Sequence, residues 1–396
     1  NTWRPELVID GDMYTSIAVK QEAPLVPAGS TELRPHRMAV GLYDITGGKI
    51  VRRKRIELDV AGAITLVPEL AGEKTADLVV LNDGDLSYGK LRFDDRSIAT
   101  LKGHLGTIED SLTRALAWSA VWDMTRDGEL AASDYVPMVL NALAHETDVA
   151  VVATQMLQLG TAVELYAADK NREVLRATLA DGVEKLLDSA PAGSDMQLQY
   201  VRSFASTAKS PAQVSKVRDI LDGKLAGVTV DANLRWTLLN SLVERGAATV
   251  AEVEAELAND KSADGEKAAA FGRAVGPDAA TKAAAWELAT AKEISNHIQI
   301  QTIQGFNRAS QRELTAAYAD KYFDLILNYW TSHTYEFASN IALLAFPSYQ
   351  VSDATMKKVE GWLSGAGKDA PNGLRRIVSE QRDALARALK AQAKDA

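Results

Sequence analysis

The stretch Val80-Leu81-Asn82-Asp83-Gly84-Asp85-Leu86-Ser87-Tyr88-Gly89-Lys90-Leu91-Arg92-Phe93-Asp94 divides this 396-residue chain into two kinds of sequence. Before it, short β-branched and aromatic runs alternate with turn residues. After it, the apolar residues recur at helical spacing. On the near side, residues 7–9, 14–21, 38–44, 49–59, 63–67 and 78–81 read as strands. They are punctuated by Asp10-Gly11, the Pro24 to Pro35 segment, Gly47-Gly48, Ala61-Gly62 and Asn82-Asp83-Gly84. In Tyr14-Thr15-Ser16-Ile17-Ala18-Val19-Lys20 the period is two, so one face can meet a core and the other water. About seven strands in some 90 residues predict a small antiparallel β-sandwich.

From Asp95-Arg96-Ser97 onward the period becomes 3.6. Trp118 and Trp122 lie four apart, and Leu112, Ala115, Leu116 and Ser119 are expected on their side of the helix. Two further stripes, Leu314, Tyr318, Tyr322, Leu325, Tyr329 and Leu374, Ile377, Val378, Leu385, Leu389, read as core faces. Breakers recur at Gly106, Asp127-Gly128, Gly160, Pro191 to Gly193, Ser210-Pro211, Gly246, Gly276-Pro277, Gly305 and Gly365 to Gly367, which predicts helical hairpins of roughly 40 residues. Trp236, Trp286 and Trp330 sit in similar settings within this loose repeat. The expected architecture is a β-sandwich over residues 1–95 followed by a large all-α superhelical domain, HEAT- or armadillo-like, over 96–396.

Composition removes several function classes. A net charge of −9 argues against a nucleic-acid backbone as the main partner, because phosphate binding needs clustered excess base. The one basic run, Arg52-Arg53-Lys54-Arg55, alternates faces in a strand and reads as a solvated edge. With no cysteine there is no disulfide framework, thiolate metal site or cysteine nucleophile, which fits a reducing cytoplasm. Apolar runs such as Ile341-Ala342-Leu343-Leu344-Ala345-Phe346 fall short of the ~20 residues that span a bilayer, so no membrane partner is expected. The chain opens on Asn1, so a longer parent is expected, with any signal peptide upstream.

Catalytic templates fail one by one. His145-Glu146-Thr147-Asp148-Val149 starts like HExxH, but Val149 stands where the second zinc ligand must lie, one turn from the first. The other histidines, His36, His104, His297 and His333, have no ligand spacing. Residues 361–368 mimic a P-loop, yet Trp362 and Asp369 occupy its glycine and hydroxyl positions. Neither Asp10-Gly11-Asp12 nor the Asn82 to Asp85 run completes a 12-residue calcium loop, and both read as turns. No Gly-x-Ser-x-Gly elbow exists, and the carboxylates give no convergent acid/base pair in sequence. Catalytic and metal residues are therefore expected to be none, and substrate-binding residues stay unassigned.

Seven segments, in order, resemble the C-terminal half of the zinc-dependent gluzincin aminopeptidases of the aminopeptidase N family, in its bacterial lysyl/alanyl branch. They are Asn1-Thr2-Trp3-Arg4-Pro5-Glu6, Leu33-Arg34-Pro35-His36-Arg37, the 81–94 seam, Arg114 to Trp118 with Trp122 to Asp127, Glu146-Thr147-Asp148, Leu234-Arg235-Trp236 and Leu374 to Glu380. The resemblance implies a parent that removes N-terminal amino acids from peptides with zinc-activated water and a Glu base. Its HExxH and Gly-x-Met-Glu-Asn motifs would lie in a thermolysin-like domain. This chain has neither motif, since none of its Met residues precedes Glu. The resemblance assigns to it the small β-sandwich and the helical domain that caps the zinc site and limits peptide entry. Its expected partners are that catalytic domain and peptide substrates. No cofactor is expected within the chain, and zinc in the parent. Some family members bind the peptide's C-terminal carboxylate with basic side chains of the helical domain. Arg308 and Arg312, beside Gly305-Phe306, are the residues considered for that contact; the residues alone favour a solvated helix start. The alternative to this reading is a free-standing helical-repeat scaffold that binds proteins on its concave face.

Overall fold

The β-rich runs build two sheets, but burial does not alternate along them as a period of two predicts: residues 17–19 and 38–43 are each buried without a break. In the computed structural model, which describes residues 1–24 and 29–396, the strands are β1 (Thr2–Asp10), β2 (Met13–Glu22), β3 (His36–Thr46), β4 (Lys49–Val60), β5 (Ile64–Leu66), β6 (Leu78–Leu81) and β7 (Lys90–Leu91). They form a four-stranded sheet, β5-β2-β1-β7, and a three-stranded sheet, β4-β3-β6. All pairs are antiparallel except the two-residue β1–β7 pair, which runs parallel because the chain reaches it from the other sheet. Part of the Pro24 to Pro35 connection, residues 25–28, lies outside the described residues.

β1 starts five residues earlier than its sequence pattern indicates. Pro5 conceals the strand, yet β7 pairs only with Thr2 and Trp3, so the missing Pro5 N–H faces no ladder partner. The predicted basic edge does lie on an edge strand, β4, but its side chains are not simply solvated. Arg52 Nη1 donates to Asp83 Oδ2 at 3.3 Å, Arg55 Nη2 donates to the Asp83 carbonyl at 3.2 Å, and Lys54 Nζ pairs with Glu73 at 2.8 Å.

The seam is a folded joint. Asn82 and Asp85 take left-handed φ values of 55° and 53°, and Gly84 one of 89°, conformations that Asn, Asp and Gly tolerate best. Asn82 closes the turn on itself: Nδ2 donates to the Ser87 carbonyl at 2.7 Å and Oδ1 accepts from Ser87 N at 3.0 Å. Asp83, fully buried, accepts from Tyr43 Oη at 2.7 Å and from Thr113 Oγ1 at 3.2 Å. Burial, reinforced by this carboxylate, pushes the Tyr43 phenol well above its ordinary range. Asp94 then caps the first helix, accepting from Arg96 N and Ser97 N, and the Ser97 hydroxyl accepts from Val79 N of β6 at 3.0 Å.

Seventeen α-helices follow among the described residues. Helices α1 (Asp95–His104), α2 (Ser111–Arg126), α3 (Ala132–Leu143) and α4 (Val149–Thr161) belong with the sheets to one compact unit, residues 1–162 with 394–396. The change of period thus falls at the seam, whereas the compact division falls at Ala162/Val163, inside a π-helical turn. Within this first unit, Arg92, almost fully buried, joins strand to helix through Asp127 at 2.5 Å and Glu129 at 3.1 Å. The α2 face differs from its sequence reading. Leu112, Ala115 and Ser119 are exposed, and the buried stripe is Thr113, Ala117, Trp118, Ala120, Val121 and Met124. Thr113, hydrogen-bonded to Tyr43 of β3 and to Asp83, sets that rotation, and Trp122 is half-buried against Tyr135.

One stretch, Val149–Tyr166, is long and apolar enough by length and composition to cross a membrane, and 33% of it is buried. Its polar residues hide it from a search for unbroken apolar runs. Two of them are used inside the protein: Tyr135 Oη donates to Gln155 Oε1 at 3.3 Å and to Gln158 Oε1 at 3.2 Å.

The second unit, residues 163–393, holds α5 (Asp169–Ser189), α6 (Asp195–Thr207), α7 (Pro211–Leu221), α8 (Ala232–Glu244), α9 (Val250–Asn259), α10 (Ala263–Ala274), α11 (Ala279–Ala289), α12 (Asn296–Phe306), α13 (Arg312–Thr315), α14 (Tyr318–Ser332), α15 (Tyr335–Leu344), α16 (Asp353–Ser364) and all but the last two residues of α17 (Asn372–Asp395). Successive helices pair as α5 with α6, α7 with α8, α9 with α10, α11 with α12 and α14 with α15; the second members also pack in series, α6 on α8, α8 on α10, α10 on α12, α12 on α15. The two predicted apolar stripes meet in one core, where Tyr322, Tyr329, Leu374, Ile377, Val378 and Leu385 are buried. Leu314 belongs to α13, because the helix breaks before Tyr318.

Candidate functional site

Helices that pack in series present their C-terminal carbonyls to one another's neighbours, and those carbonyls carry partial negative charge and lack intrahelical donors. In the second unit they are satisfied by a chain of polar side chains. Arg245, just past α8, donates through Nη2 to the Ser206 carbonyl of α6 at 2.8 Å and through Nε to Ala208 O. Gln311 Nε2 bridges the Glu244 carbonyl at 3.0 Å and the Val275 carbonyl at 2.8 Å, tying the end of α8 to the end of α10. Lys282 Nζ donates to Ala274 O at 2.9 Å and to Gly305 O at 2.8 Å, tying α10 to α12.

Beside this joint lies a cleft of about 390 Å³. Its walls include Trp236, Asn240 and Glu244 of α8, Phe271 of α10, Gln301 of α12, and Arg308. Arg308 Nε and Nη2 donate to the Glu244 carboxylate at 3.2 and 3.0 Å, Ser310 Oγ adds a third donor at 2.5 Å, and the guanidinium lies 5.4 Å from the centre of the Phe271 ring. Burial pushes the Glu244 carboxyl up, but the charge and hydrogen bonds of Arg308 and the Ser310 hydroxyl outweigh it and hold the group below the usual carboxylate range. Arg308 Nη1 has no partner among the described residues, so a carboxylate or carbonyl entering the cleft meets a charged donor already fixed in place.

Arg312 stands elsewhere. Its Nη2 donates to Glu164 Oε2 at 2.6 Å, and the same carboxylate accepts from Arg176 Nε at 2.8 Å, so two guanidinium groups share one glutamate in the π-helical turn. The structure therefore corrects the reading of Arg308 and Arg312 as a solvated helix start: each is held in an ion pair, and only Arg308 lines the cleft. Residues that sequence reasoning passed over, Glu244, Lys282 and Gln311, make the joint.

The other motifs stay apart. His145 and His297 are exposed, and His333 stacks on Tyr329 at 3.8 Å. His36 packs edge-on against Trp3. Gly367 of the P-loop mimic sits against the Trp362 ring, leaving no cradle for a phosphate. Zinc is what the resemblance attaches to a longer parent. Among the described residues no three His, Cys, Asp or Glu side chains converge as a metal site requires.

A family model described as the ERAP1-like C-terminal domain matches residues 78–387, from β6 into the closing helix. The chain belongs to the ERAP1-like C-terminal domain family. The matched span begins at β6 and contains the whole joint of α8, α10 and α12. A curated relative, aminopeptidase N of Streptomyces lividans, is 44% identical over 404 residues, taking in 100% of this chain and 47% of the relative. This ERAP1-like chain thus spans about half the length of the curated relative it matches.

Proposed function

We propose that this chain is the non-catalytic portion of a zinc metalloaminopeptidase of the aminopeptidase N type, a cytoplasmic hydrolase of peptide catabolism that removes N-terminal residues from peptides. In this reading the helical hairpins form a superhelical cap that controls peptide access. The thermolysin-like catalytic domain of the same parent chain is its partner, and neither nucleic acid nor membrane is. The observation that carries the reading is the 44% identity along the entire chain to an aminopeptidase N of which it covers only 47%, with a sequence that lacks HExxH. The cleft supports it further: a fixed guanidinium beside an aromatic ring and amide side chains suits a peptide's carboxylate and backbone better than a compact metabolite.

The test is direct. Purified as it stands, the chain is expected to retain no stoichiometric zinc by elemental analysis and to leave aminoacyl-p-nitroanilides uncleaved with added zinc. Turnover that a chelator abolishes would overturn the proposal.

A further inference from the structure

Lys282 is the one lysine in the joint, and its surroundings count hydrogens. The residue is 0% exposed, and its Nζ meets two acceptors, the carbonyls of Ala274 and Gly305. A neutral amine carries two N–H groups and satisfies both acceptors; an ammonium carries a third, which has no acceptor among the described residues. An unmet charged donor in a dry interior is costly.

The fields around it are mixed. Burial acts most strongly and pulls the Lys282 ammonium down to about 7; Glu244 and Asp278 oppose this, and Arg308 adds to it. Other charges on the elements packed against α11 are engaged or solvated. On α10, Arg273 is exposed and paired with Glu254, Lys267 is paired with the exposed Asp264, and Glu266 is exposed. On α12 the only titratable side chain is the exposed His297; on α13, Arg312 is paired with Glu164 and Glu313 is exposed, as is Glu287 on α11 itself. None of these supplies a counter-charge to a protonated Lys282.

We propose that Lys282 is a proton-operated latch: its neutral amine closes the joint between the C-termini of α10 and α12, and protonation loosens that joint together with the Arg308 segment that follows it. The proton comes from and returns to water, and no covalent bond changes. The sign follows from linkage. The closed joint holds Lys282 below the ordinary lysine value, whereas an opened joint exposes it to water and restores that value. Protonation therefore favours opening, and opening becomes rarer as pH rises from about 7 toward the ordinary lysine range, then levels off; below about 7 both forms are protonated and the dependence vanishes.

The experiment is hydrogen–deuterium exchange of the whole chain between pH 6 and 9, corrected for intrinsic exchange. Peptides covering 270–284 and 299–308 are expected to gain up to about tenfold protection per pH unit between 7 and 9 and to stay flat between 6 and 7. Strands β3 and β6 serve as the control and should not follow. Lys282→Met should abolish the dependence, and Lys282→Arg should leave the joint open at every pH. If either variant fails to fold, titration of the Lys282 side chain by NMR in the unmodified chain decides: a midpoint near 7 supports the latch, and one above 9 overturns it. Flat protection in the unmodified chain, or a pH dependence that survives in Lys282→Met, also overturns it.

Discussion

Glu244→Ala is expected to destabilise the chain by about 3 kcal/mol, near the lower end of the cost of breaking a buried ion pair. The Glu244 side chain is only 9% exposed, and its carboxylate is the acceptor for Arg308 and Ser310. Removing it strands the Arg308 guanidinium over the Phe271 ring. Because Arg308 keeps 33% exposure, part of its charge can turn to water, which limits the loss. Glu244→Gln keeps the shape and one acceptor oxygen, so it should cost roughly half as much. The pH dependence has a definite sign. Glu244 sits below its unfolded value in the folded chain, so its stabilising contribution is complete above the ordinary glutamate range and is lost as pH falls through the acid range. Urea denaturation at pH 7 and pH 4 reads both effects: the difference between Glu244→Ala and the unsubstituted chain should shrink on acidification. A variant as stable as the parent at pH 7 would show the pair to be surface decoration.

Trp3→Ala should cost about 3–5 kcal/mol. The indole is 0% exposed, donates through Nε1 to Gln21 Oε1 at 3.0 Å and meets His36 edge-on at 4.8 Å. It also lies over Gly89 so closely that a Cβ there would come within 2.5 Å of the ring. Trp3 thus pins β1 to the loop that ends the seam, and its loss leaves a cavity and an amide without its partner. Trp3→Phe retains most of the volume and should recover more than half of the loss. The denaturation midpoint should shift with little change in slope; an unchanged midpoint would mean that the first strand contributes nothing to the fold.

Legibility in the sequence followed the range of the interactions. Asn82 and Gly84 in a turn and the change to a helical period at Asp95 are local signals, and the structure realises each near its expected place. The core stripes through Tyr322 and Leu374 were readable for the same reason. The rotation of α2 was not, because two tryptophans four apart outweighed Thr113, whose burial depends on Asp83 thirty residues earlier. The joint was less readable still. Lys282 lies in Ala-Ala-Thr-Lys-Ala-Ala-Ala-Trp, which has the look of a solvated helix face, and its acceptors are backbone carbonyls 8 and 23 residues away. Glu244 and Arg308 are 64 residues apart. Arg308 drew notice in the sequence only through the family resemblance; its partner carried no signal.

The access reading is tested most directly by filling the cleft from its exposed wall. Thr237 and Asn233 stand on the exposed side of α8 and line the cleft, so Thr237→Trp should block it without disturbing the core. In an aminopeptidase polypeptide that carries this chain joined to a catalytic domain, kcat/KM is measured for peptides of increasing length and for an aminoacyl-p-nitroanilide. The predicted result is a fall of about tenfold for the longer peptides, with the nitroanilide unchanged. Equal values for the substituted and unsubstituted enzymes at every peptide length, or an equal fall on both substrate types, would contradict the claim that this chain governs which peptides enter.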